Sequence, residues 1–257
     1  NRMIMKKVPV AGEVWMVYDA RDRLVLSQDA KQRSTKWMYT QYDEKDRPMA
    51  TGLIDDIHDR AYHANLAKTS TSYPNLGSYK YELLTHTLYD DYAWLSSFST
   101  PFSATRNTSF DSYLLSASNS VWPYPQSVIQ SVRTQGLVTG TRTEIPGTGQ
   151  YLYSINYYDE KGRVIQTQST NLSGGVDITT IQYNFSGQPL VSVLRQEKAG
   201  GSNPQTHIIV TKTDYDDLGR LLIVKKAIYS TVNGVAVNKA EQSIVNNSYN
   251  SSGQLKS

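Results

Sequence analysis

The densest gathering of residues able to do chemistry is the stretch DDIHDRAYH, which sets Asp55, Asp56, His58, Asp59 and His63 within nine positions. Carboxylates and imidazoles are what a divalent cation takes as ligands. The spacing argues against that use. His58 and His63 are five residues apart, so they do not share a helix face and would point to opposite sides of a strand. The acids also lack the fixed glycine and the close spacing of a calcium loop. A polar surface loop is expected here, with no metal and no cofactor. His86 and His207 stand alone in strand-like context and read as exposed or satisfied side chains.

A second arrangement is an acid facing a base. In YYDEKGRVIQTQ, Asp159 precedes Arg163 by four residues, and the same phrase recurs. Aligned on its tyrosine it reads YDARDRLVL at Tyr18, YDEKDRPMA at Tyr42, YDEKGRVIQ at Tyr158, YNFSGQPLV at Tyr183, YDDLGRLLI at Tyr215 and YNSSGQLKS at Tyr249. A weaker seventh copy, YDDYAWLSS, starts at Tyr89. A catalytic reading would need a separate active site at every copy. A chain reversal needs only local physics. Asp or Asn opens a type I turn by bonding the amides that follow, and a residue of positive φ closes it. Gly162, Gly187, Gly219 and Gly253 stand at that closing position, with Asp22 and Asp46 in their place in the first two copies. The phrase predicts a three-residue hairpin loop ending in a bulge. Across it Asp19 faces Arg23, Asp43 faces Arg47, Asp159 faces Arg163 and Asp216 faces Arg220.

Other catalytic signatures are missing. There is no Gly-x-Ser-x-Gly elbow, no His-Glu-x-x-His and no phosphate loop. A hydrolytic carboxylate pair is assembled only in three dimensions, and Asp177 or Glu144 would be its members. The expectation is a chain that is not an enzyme. Trp15, Trp37, Trp94 and Trp122 offer flat faces of the kind that contact glycans, and a carbohydrate-binding or adhesive module is the alternative reading. Trp15 alternates with Val14 and Met16, however, and fits sheet packing as well.

The elements that must carry these residues are strands. The chain has 257 residues, enough for a real core in one large β domain or two smaller ones. Nineteen tyrosines against four phenylalanines suit half-buried sheet positions, where the ring packs and the hydroxyl stays wet. Twenty-six basic and 23 acidic residues are mixed along the chain, for a net charge of +3, without a basic run for nucleic acid. No apolar stretch is long enough for a membrane-spanning helix. The absence of cysteine excludes disulfides, thiolate ligands and a cysteine nucleophile. The start, Asn1-Arg2-Met3, carries no leader pattern, and the final phrase has no strand after it. The chain therefore reads as a segment of a longer polypeptide.

The fold expected is all-β: successive antiparallel hairpins forming one extended, curved sheet, with a loop-rich insertion and one short helix. Hairpin repeats occupy 1–54 and 150–257, and 55–149 is an elaborated insertion or linker on the same sheet. The best helix candidate is PQSVIQSVRTQG, where Val128, Ile129 and Val132 share a face.

Tyr-Asp-x-x-Gly-Arg at intervals of a little over twenty residues resembles the YD repeat of the RHS (rearrangement hot spot) family. That family includes bacterial polymorphic toxins, shell components of insecticidal toxin complexes, and teneurins. The match is good at Tyr158 and Tyr215. Tyr18 and Tyr42 lack the glycine, while Tyr183 and Tyr249 carry Asn and Gln for Asp and Arg. The resemblance implies hairpins wound into a continuous sheet that curls, in long arrays, into a hollow shell. It implies a secreted or cell-surface setting and a non-enzymatic role enclosing or presenting a toxin or adhesin. The partners would be other segments of the same polypeptide, with glycans under the alternative reading and self-association through sheet edges. The family's Asp-Pro-x-Gly-type autoproteolytic motif is absent, so self-cleavage does not carry over.

Overall fold

Short runs of alternating or β-branched residues, each closed by a turn phrase, give the strands. The structure, a computed structural model, describes residues 2–116 and 124–256. The strands are β1 (Met5–Val8), β2 (Gly12–Tyr18), β3 (Leu24–Gln28), β4 (Lys36–Tyr42), β5 (Pro48–Asp55), β6 (Tyr81–Tyr89) and β7 (Val138–Ile145). They continue with β8 (Gln150–Tyr158), β9 (Val164–Thr170), β10 (Val176–Tyr183), β11 (Pro189–Lys198), β12 (Gln205–Tyr215), β13 (Leu221–Val232) and β14 (Val235–Asn246). All fourteen are antiparallel and lie in one sheet, ordered as they occur in the chain. Contacts divide the chain into two units. One holds the residues up to Leu88 with Thr141–Tyr151, and the other holds Tyr89–Gly140 with the residues from Leu152 on.

In the first unit, β4 shows the period of two directly: Trp37 and Tyr39 are buried while Met38 between them is exposed. Val17, Leu26, Ala50 and Ile54 join that inward face, and Val25 belongs to the same core cluster. The chain between β5 and β6 covers it. Helix α1 (Arg60–Ala67) starts at Asp59, whose carboxylate accepts the Tyr62 amide as an N-cap. Its His63 and Ala67 are wholly buried, and Tyr73, Leu76 and Tyr79 pack beside them. Gly52 is required by crowding, because an added Cβ would lie 2.0 Å from the Glu82 carbonyl oxygen.

In the second unit the inward face is partly polar. Ile155, Tyr157, Ile165, Ile178, Leu190, Val191 and Val193 are buried, but so are Gln166, Gln168, Thr180 and Gln182. Gln166 and Gln182 bind the covering segment that precedes β7, and Gln168 and Thr180 bond Gln166. Gln166 accepts the Asn107 amide at 2.8 Å and donates to the Asn107 carbonyl at 2.7 Å. Gln182 does the same to Leu115, at 2.8 and 2.9 Å. Each glutamine thus acts as a side-chain substitute for a strand neighbour, satisfying backbone groups that have no ladder of their own. Phe110, Tyr113, Leu114 and Leu115 then pack on the Leu190–Val193 cluster.

Three expectations need correction. The stretch 55–63 is not simply a polar surface loop, because Asp59 caps α1 and His63 on that helix is buried. The segment PQSVIQSVRTQG is not helical. It is irregular between a bridge at Pro125 and a turn at Gly136, with the Gln126 amide on the Tyr183 carbonyl and the Ser131 amide on the Tyr158 carbonyl. Val128 is buried, whereas Ile129 and Val132 are 66% and 96% exposed. Two to three turns are marginal alone, and bonding to strand ends supplies what the helix would have. The short helix of the fold is α1 instead. The phrase at Tyr89 also fails to make a hairpin. Asp90 has φ of 72°, but the chain then enters a 3₁₀ turn, Ala93–Ser97. Residues 104–116 then cover the sheet ahead of β7.

Candidate functional site

The recurring residues build one local geometry. At Asp159, Oδ1 accepts the amides of Lys161 and Arg163, both at 2.9 Å, and Oδ2 accepts Arg163 Nε at 2.7 Å. The Gly162 amide reaches the Asp159 carbonyl, and the Asp159 amide reaches the Arg163 carbonyl. Asp19, Asp43 and Asp216 repeat this with Arg23, Arg47 and Arg220, with Oδ2 to Nε distances of 2.8, 2.7 and 2.6 Å. The closing residue has φ of 63° at Asp22, 61° at Asp46, 73° at Gly162, 90° at Gly187, 77° at Gly219 and 78° at Gly253. Register shifts fall at Tyr18, Tyr42, Tyr158, Tyr183 and Tyr215, where the bulge begins. In the two neutral copies Asn184 Nδ2 donates to Gln188 Oε1 and Asn250 Nδ2 to Gln254 Oε1, each at 2.9 Å. An amide pair of matching shape replaces the ion pair.

The tyrosines link successive turns. Tyr42 OH donates to the Leu24 carbonyl, Tyr183 OH to Val164, Tyr215 OH to Pro189 and Tyr249 OH to Leu221, at 2.9, 2.9, 3.0 and 2.9 Å. In every case the acceptor lies six residues after the tyrosine of the preceding phrase. The preceding arginine lies over the same ring: Arg23 over Tyr42 at 4.7 Å, Arg163 over Tyr183 at 4.6 Å and Arg220 over Tyr249 at 4.3 Å. Tyr18 is held alike by the Met3 carbonyl and Arg2. Sequence reasoning missed these staples, although the fixed place of arginine one phrase ahead of Tyr42, Tyr183 and Tyr249 was the available signal.

The electrostatics favour this arrangement around neutral pH. Burial works to raise the Asp43 and Asp216 carboxyls, but the backbone amides and the guanidiniums of Arg47 and Arg220 outweigh it, so both end below the ordinary value. Hydrogen bonds from Arg21 lower Asp46, and those from Arg195 lower Glu197. Burial lowers His63 and His86 from 6.5 and raises Tyr42, Tyr158, Tyr183 and Tyr215 from 10.0. Groups lowered by folding stabilise the fold above their unfolded values and lose that contribution as pH falls; raised tyrosines do so below theirs and lose it as pH rises. Thermal melts across pH should therefore show a plateau between about 7 and 10, where the unfolded side chains have their ordinary values. The midpoint should fall below about pH 6.5 through the histidines, more steeply below about 4 through the carboxylates, and again above about 10 as the unfolded tyrosines ionise.

The remaining candidates are placed as follows. Trp37 is wholly buried, its Nε1 on the His58 carbonyl, and Trp94 is buried with Nε1 on Thr139 Oγ1, so neither presents a face to a glycan. Trp15 is partly buried and Arg33 lies over its ring at 4.0 Å. Trp122 lies outside the described residues. The structure brings together Asp56, His58 and His63: Asp56 Oδ1 is 2.6 Å from His58 Nδ1 and 3.9 Å from His63 Nε2. His63 Nδ1 meets Tyr73 OH at 2.6 Å beneath the sheet cover, which makes it a core histidine. Among the described residues no three such side chains form a metal-holding group. Asp177 is taken up by the Asn171 side chain and the Glu197 amide, while Glu144 is buried in the other contact unit.

No family model and no curated protein matches the chain. Among solved structures it is similar to the crystal structure of TcdB2-TccC3 without the hypervariable C-terminal region, at 13% identity and a TM-score of 0.30. That alignment covers 98% of this chain but only 13% of the other, so the chain spans a small part of that molecule's length.

Proposed function

We propose that the chain is a non-enzymatic wall segment of YD-repeat type, part of a secreted or surface-displayed shell or scaffold that encloses or presents another domain. The observation that carries this reading is the repeated staple: the recurring residues of the phrases are spent on their own turns and, at Tyr42, Tyr183, Tyr215 and Tyr249, on the preceding turn. Nothing is left over in them for a substrate. Resemblance of the phrase to the RHS repeat adds the enclosing role, and a sheet ordered as the chain adds the extendable architecture. A sheet of this kind offers edges for further pairing.

Light scattering on the purified chain tests the reading. Strand β14 is exposed along nearly its whole length, including Val237 and Ile244 at 52% and 54%. Concentration-dependent association is expected, and Val237→Lys with Ile244→Lys should shift it to monomer without changing the melting midpoint. A wild-type chain that stays monomeric at every concentration would count against a wall segment.

A further inference from the structure

Between the hairpins of Tyr183 and Tyr215 the staple lacks its arginine. Three phrase tyrosines, Tyr42, Tyr183 and Tyr249, carry the guanidinium of the preceding phrase over their rings. Ahead of Tyr215 the corresponding residue is Gln188, not arginine. The equivalence is geometric as well as sequential. Arg163 Nη1 lies beside the Gly187 position, Arg220 Nη1 beside Gly253, and Gln188 Nε2 beside Gly219, at 3.7, 3.1 and 3.0 Å from where a Cβ would stand. Gln188 donates to the Gly219 carbonyl at 2.9 Å but brings no cation to the Tyr215 ring.

A cleft of about 620 Å³ opens at that place, lined by Phe185, Gln188, Asp214, Tyr215, Asp217 and Leu218 among others. Its chemistry is that of a filled rung lacking its cation. Phe185 and Leu218 are 70% and 77% exposed, and the Phe185 ring already takes Lys161 Nζ at 4.8 Å on the neighbouring turn. Asp216 is committed to Arg220. Asp217 is exposed and makes no hydrogen bond among the described residues, and Asp214 accepts the Tyr215 amide. Burial raises the Asp214 carboxyl, with Lys225 opposing in part. Two carboxylates lining a cleft with the half-buried Tyr215 ring, which carries no arginine, suit a planar cation that stacks on the ring and bonds the acids at once.

We propose that this cleft binds an arginine side chain of a partner polypeptide, which completes the rung that Gln188 leaves empty. The chain's own turns supply the template, since each intact rung is an arginine on a tyrosine.

The test is an NMR titration of the whole chain with N-acetyl-arginine amide and with its neutral isostere, N-acetyl-citrulline amide. Saturable shifts of the Phe185, Tyr215 and Asp217 signals are expected with arginine, and binding at least about tenfold weaker with citrulline, the loss of one charge-assisted contact. Asn184→Asp with Gln188→Arg rebuilds the ordinary phrase and should abolish the arginine shifts by filling the cleft. Asp217→Asn, outside the turn's hydrogen bonds, should weaken binding severalfold while leaving the melting midpoint unchanged. Equal binding of citrulline, no saturable shift at all, or undiminished binding by the rebuilt phrase would each overturn the assignment.

Discussion

Gln166→Ala is expected to destabilise the second unit by about 3–5 kcal/mol, more than an apolar truncation of similar size. Gln166 is wholly buried and holds both backbone groups of Asn107, and its Nε2 also donates to Thr180 Oγ1 at 2.8 Å. Removing it leaves the partly buried Asn107 amide and carbonyl, and the buried Gln168 Nε2 that also donates to Gln166, without that partner, each costing about 1–3 kcal/mol, and adds a cavity. Chemical denaturation measures the loss, with Ile178→Val as the packing reference at about 1 kcal/mol. The cover should also release, so cleavage by a protease at residues 104–116 should quicken. A loss no larger than that of Ile178→Val, with unchanged proteolysis, would show that the cover is held by its apolar contacts alone.

The second large effect lies in the turn. Asp159→Ala is expected to cost about 2–4 kcal/mol, below the full value for a buried pair because the Asp159 and Arg163 side chains are 10% and 21% exposed. The substitution removes the acceptor for two amides and for the guanidinium together. Arg163 Nη1 is already buried without a partner, so the guanidinium would keep only its place over Tyr183. The adjacent Glu160→Ala, on an exposed residue, should stay within about 0.5 kcal/mol. Comparable effects from the two substitutions would mean that the ion pair contributes as little as an ordinary surface pair.

How far the sequence discloses this fold depends on the range of the interaction. The turns are legible because their causes lie within six residues: an Asx acceptor, a positive φ, and a side chain to pair. Asp22 and Asp46 in the glycine place were readable for the same reason. The staples were not, since Tyr42 and Tyr249 reach carbonyls 18 and 28 residues away. The covers were hardest. Residues 104–116 have no periodicity because strand glutamines satisfy their backbone, and the hint was only Gln166 and Gln182 at inward positions. Helix α1 had a local signal in Asp59 followed by Ala61, Ala64 and Ala67, which the acids and histidines around it obscured. The exposed faces imagined for Trp37 and Trp94 failed because the chain between β5 and β6 covers Trp37, and the turn Ala93–Ser97 seats the Trp94 ring against Thr139 and Gly140.

One experiment bears most directly on the claim that the phrase is a structural turn: a double-mutant cycle of Asp159→Asn and Arg163→Gln, read by denaturation. Each change alone should destabilise, since it sets a charged group against an amide. Together they copy the pair found at Asn184 and Gln188 and should restore much of the loss, with a coupling energy of about 2 kcal/mol. Additive effects, with coupling below about 0.5 kcal/mol, would contradict the account.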